Sequence, residues 1–368
     1  MKIAFLGTRG IPASYSGFET CVEQLGQRLV KRGHEVTVYC RSHHNPFDKS
    51  IYKGMNLIKH GTIKNKYLET IVHSFISSIH SLFKKYDIAL YFIAGNSPLT
   101  WIPRIVGTRT LLNVDGLDWK REKWPLLAKI YIQLAELIAT KLPSAFITDS
   151  VVVQNYYKNR FKIEPVYIPY GSEVEIIIPG ETLEKFDLKK DKYILFVGRL
   201  VPENCVHHLI DAFKNIQTDV KCVIVGDASY EEEYIKSLKQ KSANDSRIIF
   251  TGYVFGKGYH ELGSNSLIFI ETSSVGGTHP ALTEAMGFGN CIIVNNTKEN
   301  LETIGDAGFS YNGKIGAESL RIVLETLLNS PRTISKYKEI ARARANKYYS
   351  WERVTDDYEN LFYKLLEK

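Results

Sequence analysis

No apolar run in this chain of 368 residues approaches the roughly 18 residues that a membrane-spanning helix needs. That excludes an enzyme built on helical membrane spans. Cysteine is sparse: Cys21, Cys40, Cys205, Cys222 and Cys291 are odd in number, far apart and never arranged as CxxC. A disulfide scaffold, a zinc ribbon or a dithiol redox centre is therefore not expected, and the cysteines read as reduced core residues of a cytoplasmic protein. No D-x-D occurs, so neither a divalent-cation clamp on a diphosphate nor any other metal site is expected. The dinucleotide fingerprint G-x-G-x-x-G is missing too. The start, Met1-Lys2-Ile3-Ala4-Phe5-Leu6-Gly7, has too short an apolar core for a signal peptide, and no repeat or low-complexity tract is visible.

What is present is a composition of 44% hydrophobic and 24% charged residues, that of a soluble globular protein. The length suggests two domains. We place them at 1–170 and 191–350, with a linker over 171–190 and a C-terminal helix over about 351–368 packing back on the first domain. A net charge of +7 suits anionic lipid, phosphate-bearing substrates or nucleic acid, and does not choose among them.

Taken in order, the chain alternates strand and helix. Residues 2–7 read as a strand, then comes a glycine-containing loop through Arg9, Gly10 and Gly17. A helix over 18–31 follows, with Val22, Leu25, Leu29 and Val30 at helical spacing, then a strand over 35–40. This is the phosphate-binding opening of a doubly wound α/β domain, but the second strand runs into Cys40-Arg41 where an acidic ribose ligand would be expected, which disfavours an NAD enzyme. An amphipathic helix is expected over 67–85, with Ile71, Phe75, Ile79 and Leu82 on one face. Strands over 88–93 and 111–114 lead to Asp115-Gly116 and then to Trp119-Lys120-Arg121-Glu122-Lys123-Trp124. A helix over 126–142 and strands over 145–148 and 166–168 complete the first half.

The second half repeats the pattern: strand 192–198, loop at Arg199, helix 206–215, then strands 222–226, 248–250, 267–270 and 291–294. Val197-Gly198 and Val225-Gly226 are strand endings typical of parallel sheets buried on both faces. Between the last two strands lies Ser273-Ser274-Val275-Gly276-Gly277-Thr278-His279-Pro280, feeding a helix near Pro280, where proline is tolerated. Paired glycines let backbone N–H groups converge on a ligand, and a helix N-terminus adds partial positive charge. The stretch therefore suits an anion, most simply a phosphate, although glycines required for the turn alone would read the same way. The tail is helical, with Val354, Tyr358, Leu361 and Leu365 at helical spacing over 351–366. The fold class is α/β, two facing doubly wound, Rossmann-like domains with a ligand cleft at their junction.

Gly198-Arg199-Leu200, followed by the Gly276-Gly277 loop and Thr283-Glu284-Ala285-Met286-Gly287, resembles the nucleotide-sugar half of the GT-B retaining glycosyltransferases of family 4. Gly7-Thr8-Arg9-Gly10-Ile11-Pro12, Gly17-Phe18-Glu19-Thr20, Val114-Asp115-Gly116-Leu117-Asp118-Trp119-Lys120-Arg121 and Leu200-Val201-Pro202-Glu203-Asn204 are similar to its bacterial rhamnosyltransferase-type branch. The resemblance covers nearly the whole chain. It implies a hexosyl transfer with retention, most simply of L-rhamnose from dTDP-rhamnose, onto a polyprenyl-diphosphate-linked saccharide of a cell-surface polysaccharide. The enzyme would sit on the inner face of the plasma membrane, use no cofactor beyond its dTDP- or UDP-sugar substrate, and have no nucleic-acid partner.

Under this resemblance Arg199 grips the diphosphate, as a forked guanidinium can. Glu284 accepts hydrogen bonds from the ribose hydroxyls, and Gly276, Gly277, Thr278 and His279 face the donor sugar and phosphate. Arg9, Gly10 and Gly17 line the cleft opposite the diphosphate. Asp115 is the catalytic candidate, more as a positioner of the acceptor than as a base, because the departing phosphate can take the proton. Trp119, Lys120 and Arg121 are candidates for contact with the lipid-linked acceptor or the headgroup layer, local packing being the other reading of the tryptophan. Two departures stand out. Many relatives carry a glutamate at the position of Gly276 and a lysine at that of Asn204. The first suits a 6-deoxy sugar, and for the second Lys257 is a substitute cation. A UDP-hexose transferase and a sugar-nucleotide 2-epimerase share the pattern, as does a nucleotide-sugar sensor without acceptor chemistry.

Overall fold

The structure is a computed structural model that describes residues 1–13, 17–45, 47–65, 67–114, 116–120, 124–172, 174–228 and 231–367. The chain forms two compact units, Met1–Gly171 with Trp351–Lys368, and Ser172–Ser350.

The first unit is built on a sheet in the order β3-β4-β2-β1-β5-β6-β7-β8. Its elements in chain order are β1 (Lys2–Leu6), α1 (Gly17–Lys31), β2 (Glu35–Arg41), β3 (Ile51–Tyr52), β4 (Met55–His60), α2 (Glu69–Ser81), β5 (Ile88–Phe92), β6 (Arg109–Val114), α3 (Leu126–Ala139), β7 (Ala145–Thr148), α4 (Val151–Phe161) and β8 (Val166–Tyr167). All pairings are parallel except β3 with β4. The central strands are apolar throughout because helices cover both faces. The hairpin β3–β4 and helix α4 were not anticipated. The two-residue strand is too short to show a period, and α4 has almost no amphipathic pattern. What α4 does have is an N-cap, Ser150, whose hydroxyl accepts from the Val152 N–H at 3.1 Å.

Helix α2 corrects the sequence reading in length and in orientation. It buries His73, Ser74, Ser77, Ser78 and Ser81 and exposes Phe75, Ile76 and Ile79. The serines fit inside because they are small, and two of them are bonded: Ser78 Oγ lies 2.6 Å from Ser74 O and 2.7 Å from the Tyr91 hydroxyl, and Ser81 Oγ donates to Ser78 O at 2.6 Å, whereas the hydroxyls of Ser74 and Ser77 are buried without a hydrogen-bond partner. Of the four residues expected on one face, only Ile71 and Leu82 pack against the core.

The terminal helix, Trp351–Leu366, lies on α1. Trp351, Val354, Tyr358 and Phe362 enter the same core as Phe5, Val22 and Leu25. Gly171 is required here by close approach, since a Cβ would sit 2.3 Å from the Trp351 ring. Tyr358 receives a hydrogen bond from Asn113 Nδ2 at 2.5 Å. Outside the core, Arg32 reaches Glu352, Asp356 and Glu359 at 2.9, 2.7 and 2.8 Å, and Arg28 reaches Glu352 at 3.0 Å.

The second unit has a wholly parallel sheet, ordered β11-β10-β9-β12-β13-β14. Its elements are α5 (Glu181–Lys185), β9 (Tyr193–Val197), α6 (Val206–Phe213), β10 (Lys221–Val225), α7 (Glu232–Ser242), β11 (Ile248–Gly252), α8 (Gly256–Asn265), β12 (Ile268–Glu271), α9 (Pro280–Phe288), β13 (Cys291–Asn295), α10 (Lys298–Ile304), β14 (Phe309–Tyr311), α11 (Ala317–Leu328) and α12 (Pro331–Tyr348). Residues read as a linker fold onto this unit. Glu261, buried on α8, accepts N–H bonds from Gly180, Thr182 and Leu183 at 2.7, 3.2 and 2.9 Å, which holds its carboxyl below its ordinary value against the opposing pull of burial.

Candidate functional site

Strands β9 and β12 are parallel neighbours, with Ile194 opposite Ile268 and Leu195 opposite Phe269. The loops leaving their carboxyl ends therefore emerge side by side, at the edge where open α/β sheets bind ligands. One loop carries Gly198-Arg199-Leu200, the other runs from Thr272 to His279.

The first loop is fixed by the neighbouring strand β10. Gly198 N donates to Val225 O at 3.0 Å and Leu200 N to Asp227 O at 3.2 Å. Gly226 has φ +134, and a Cβ there would lie 1.9 Å from Gly198 O, so only glycine lets the two backbones meet. Arg199 is half-buried, and its carbonyl accepts from Asn204 Nδ2 at 2.8 Å.

Asn204 also ties this turn to the second loop. Its carbonyl accepts from Thr272 Oγ1, and its Oδ1 lies 3.2 Å from Ser273 Oγ. Ser273 Oγ is 2.5 Å from the buried Glu271 carboxylate, which also accepts from Ser273 N at 3.0 Å. Ser274 donates through both N and Oγ to Glu203 O, each at 2.9 Å. On the far side Asn295 and Asn300 donate to the carbonyls of Thr272 and Ser273 at 3.1 and 3.3 Å. The position that is lysine in many relatives thus carries a staple between two loops and brings no charge. Lys257 lies exposed at the start of α8.

Gly276, Gly277 and Thr278 are all buried. A Cβ on Gly276 would come within 2.5 Å of the His279 ring, so the imidazole occupies the space where a longer residue would begin. Pro280 opens α9, as the sequence predicts, and Thr283 Oγ1 donates to Pro280 O at 2.9 Å. Glu284, one turn in, accepts a 2.6 Å hydrogen bond at Oε2 from the Tyr259 phenol on α8. Burial pushes the Glu284 carboxyl up from 4.5 to about 7, with the Tyr259 hydrogen bond acting in the opposite direction. The phenol is itself raised well above its ordinary value, by burial first and by the Glu284 charge second. Helices α8 and α9 can meet this closely because a Cβ at Gly263 would lie 2.3 Å from the Phe288 ring.

The second unit therefore brings together Arg199, Gly276, Gly277, Thr278, His279 and Glu284 along one edge. Tyr259 and Glu271 were missed as parts of this arrangement, and Asn204 and Ser273 were named without the contact that joins them. Tyr259 gives no local signal, since its partner lies on another helix. Alongside, a concavity of about 720 Å³ is lined by Asp227, Lys236, Lys239 and Tyr253, and includes neither Arg199 nor Glu284.

In the first unit, Arg9 and Gly10 lie between β1 and α1. Arg9 N donates to the buried Glu19 carboxylate at 2.9 Å, and Arg9 O accepts from Arg41 N at 2.9 Å. Gly10, at φ +107, leaves no room for a Cβ against Cys40. Gly17 starts α1. Trp119 packs against the core while Lys120 is exposed, with its Nζ 5.8 Å from the Trp119 ring centroid. Asp115 and Arg121 lie outside the described residues. Two groups of described residues have ligand atoms close enough for a metal ion, Cys205 with His207 and His208, and His43 with His44 and Glu69. Neither includes a residue of the Arg199 to Glu284 edge. Glu69 is already paired with Arg41 at 3.3 Å, and His207 and His208 with Tyr234 and Tyr311 at 3.0 and 3.2 Å.

Comparison with known proteins gives the same division. Residues 1–173 match a domain of unknown function, DUF1972, and residues 181–344 match the family described as Glycosyl transferases group 1. O-antigen chain mannosyltransferase B of Escherichia coli is 25% identical over 50% of this chain and 49% of its own length, so the match spans about half of that relative. The N-acetylgalactosamine-N,N'-diacetylbacillosaminyl-diphospho-undecaprenol 4-alpha-N-acetylgalactosaminyltransferase of Campylobacter jejuni is 27% identical over 71% of this chain and 72% of its own. Among solved structures, sucrose-phosphate synthase from Thermosynechococcus elongatus superposes over 100% of this chain and 99% of its own with a TM-score of 0.83 at 20% identity. The two-unit α/β architecture is the GT-B fold of these solved structures, and residues 181–344 are similar to the Glycosyl transferases group 1 family.

Proposed function

We propose that this chain is a glycosyltransferase of polysaccharide assembly, which transfers a hexose from a nucleotide sugar, with retention and without a metal, onto a polyprenyl-diphosphate-linked saccharide. The observation that carries the reading is the stapled pair of loops at β9 and β12. One of these adjacent loops carries a forked cation, Arg199, and the other runs into a glycine-rich helix N-terminus whose second turn holds the tyrosine-bonded carboxylate of Glu284. In this reading Arg199 binds the diphosphate, the Gly276-Gly277-Thr278 backbone donates to the donor's phosphate or sugar, and Glu284 accepts from the ribose hydroxyls. Arg9, Gly10 and Gly17 take part in donor binding. Asp115 positions the acceptor hydroxyl while the leaving phosphate takes its proton, so no further base is required.

L-rhamnose from a dTDP donor is the first sugar to test. Gly276 puts no carboxylate where many relatives have one, and His279 fills the space beside it, which suits a sugar lacking one hydroxyl. The relatives described above carry mannosyl- and N-acetylgalactosaminyl-transferase names, so a UDP-hexose is the second reading. The undecaprenyl diphosphate in the name of the Campylobacter relative supports the lipid-linked acceptor. The test is a panel of dTDP-, GDP- and UDP-sugars with and without a polyprenyl-diphosphate saccharide, following nucleotide release and product mass. Acceptor-dependent release from one donor is expected. Release from none overturns the transferase reading, and donor epimerised without acceptor selects a 2-epimerase.

A further inference from the structure

Helix α2 is inside out. A helix on the surface of a soluble sheet normally turns its apolar stripe inward, yet α2 buries four serines and a histidine and leaves Phe75 and Ile79 at 49% and 39% exposure. Helix α3 does the same on a larger scale. It buries Ile132, Ala135, Glu136 and Ala139 while Leu127 and Leu134 are 81% and 56% exposed.

The two helices flank one surface. The short 3-10 segment Ala94–Leu99 packs against both, with Ser97 Oγ donating to Ala135 O at 2.6 Å and the Tyr131 hydroxyl to Gly95 O at 2.7 Å. At their N-terminal ends the rings of Tyr67 and Trp124 lie 5.9 Å apart. Trp101, at 49% exposure, adds to the apolar surface from the loop between them. Exposed large apolar side chains gathered on two elements that share a neighbour point to an interaction site.

The exposed charge around it is mainly positive, with Asp87 an exception beside Lys84 and Lys85. Within residues 67–85, 94–109 and 124–142 the acidic residues are Glu69 and Glu136. Glu136 is buried, and Glu69 is held by Arg41, His43 and His44 with its side chain 14% exposed. Lys84, Lys85, Arg104 and Lys141 are exposed. A self-complementary contact would bring these cations against their own copies, which like-charge repulsion opposes, whereas an anionic bilayer complements both the apolar face and its cationic rim.

We propose that α2 and α3 dock this protein on the surface of an anionic phospholipid bilayer, with Phe75, Ile79, Leu127 and Leu134 entering the boundary between headgroups and acyl chains. Among the described residues no helix is long and apolar enough to cross a membrane, so the mode is interfacial, and each cation near the surface adds to it. The assignment moves the membrane contact from Trp119-Lys120-Arg121 to the exposed faces of two helices. It does not depend on the sugar or acceptor assigned above, so vesicle binding and sugar transfer can fail independently.

The experiment is flotation of the full chain with phosphatidylcholine vesicles and with vesicles containing about a third phosphatidylglycerol, at low and high salt. Co-flotation with the anionic vesicles, weakened by salt, is expected. Two double variants, F75D/I79D and L127D/L134D, should each cut partition by about tenfold or more. K84E/K85E should lower binding to anionic vesicles only. Circular dichroism and melting of each variant report that the fold is retained, which these solvent-facing positions favour. Absence of flotation overturns the proposal, as does flotation that both apolar variants leave unchanged. A dimer dissociated by L127D/L134D in a protein that ignores vesicles would assign the face to a second copy instead.

Discussion

The phenol of Tyr259 donates a 2.6 Å hydrogen bond to Oε2 of Glu284, joining α8 to the first turns of α9. Burial holds the carboxyl near 7, so the form that can accept from ribose is complete only above neutrality. Donor KM should therefore rise as the pH falls through about 7. Removing the phenol in Tyr259→Phe takes away a contact that lowers the carboxyl, and should move this acidic limb to higher pH. An unchanged limb in a pH series of kcat/KM would separate Tyr259 from Glu284.

The same carboxyl bears on stability with a defined sign. Between its ordinary 4.5 and about 7 the folded chain keeps a proton that the unfolded chain releases. Stability therefore falls as the pH rises through that window. Glu284→Gln should unfold about 1–3 kcal/mol later than the parent at about pH 8, a figure reduced for partial exposure, and show no gain near pH 4. The variant should nevertheless lose donor affinity. Denaturant melts at the two pH values, paired with a donor titration, check both halves.

Asn204 holds two loops with one side chain. Asn204→Ala should cost about 1 kcal/mol, because it leaves Arg199 O without its 2.8 Å donor and removes the 3.2 Å tie to Ser273 Oγ, which keeps Glu271 as its acceptor. Donor KM should rise more than kcat falls, since the loss is one of positioning. Asn204→Lys, which installs the residue of many relatives, would break the same contacts and is expected to bind donor no better than the parent.

Gly226→Ala tests backbone contact alone. Its Cβ would meet Gly198 O at 1.9 Å and φ is +134, so the Gly198-Arg199 turn must move. Weaker nucleotide binding by calorimetry, with the sheet retained by circular dichroism, is the expected outcome. Gly252→Ala is the comparison: φ is +69 but open space surrounds the glycine, so only the conformational cost applies.

The terminal helix gives a stability prediction unrelated to the chemistry. Trp351→Ala removes a side chain with 1% exposure and should cost about 3–5 kcal/mol. Arg32→Ala, which loses three partly exposed ion pairs, should cost about 1 kcal/mol, and less at high salt. Equal losses for the two variants would contradict the division between core and surface.

Much of the architecture was legible because it is periodic. Buried parallel strands such as Tyr193–Val197 and Cys291–Asn295 announce themselves as short apolar runs, and the helix Trp351–Leu366 shows its apolar positions at helical spacing. Pro280 and the Gly-Gly loop before it mark the start of α9 by local backbone chemistry alone. Helix α2 was misread for an instructive reason. Its period was right, but periodicity reports that two faces differ and does not say which one the sheet will take. That choice was settled by Tyr91 and by the tolerance of a tight interface for serine.

What the sequence alone determined is the alternation of strand and helix, the glycines where backbones must meet, and the residue types at the carboxyl edge of the second sheet, all matters of local propensity and spacing. What only the tertiary structure decided is which side chains share that edge. The stretch from Ser273 to Glu284 suggested an anion site by itself. Packing of α8 against α9 supplied the phenol that holds Glu284, and the adjacency of β9 and β12 supplied Asn204 as the link to Arg199. Such contacts join residues far apart in the chain, and no local preference encodes them. They follow from strand order and close packing, which exist only once the chain has folded.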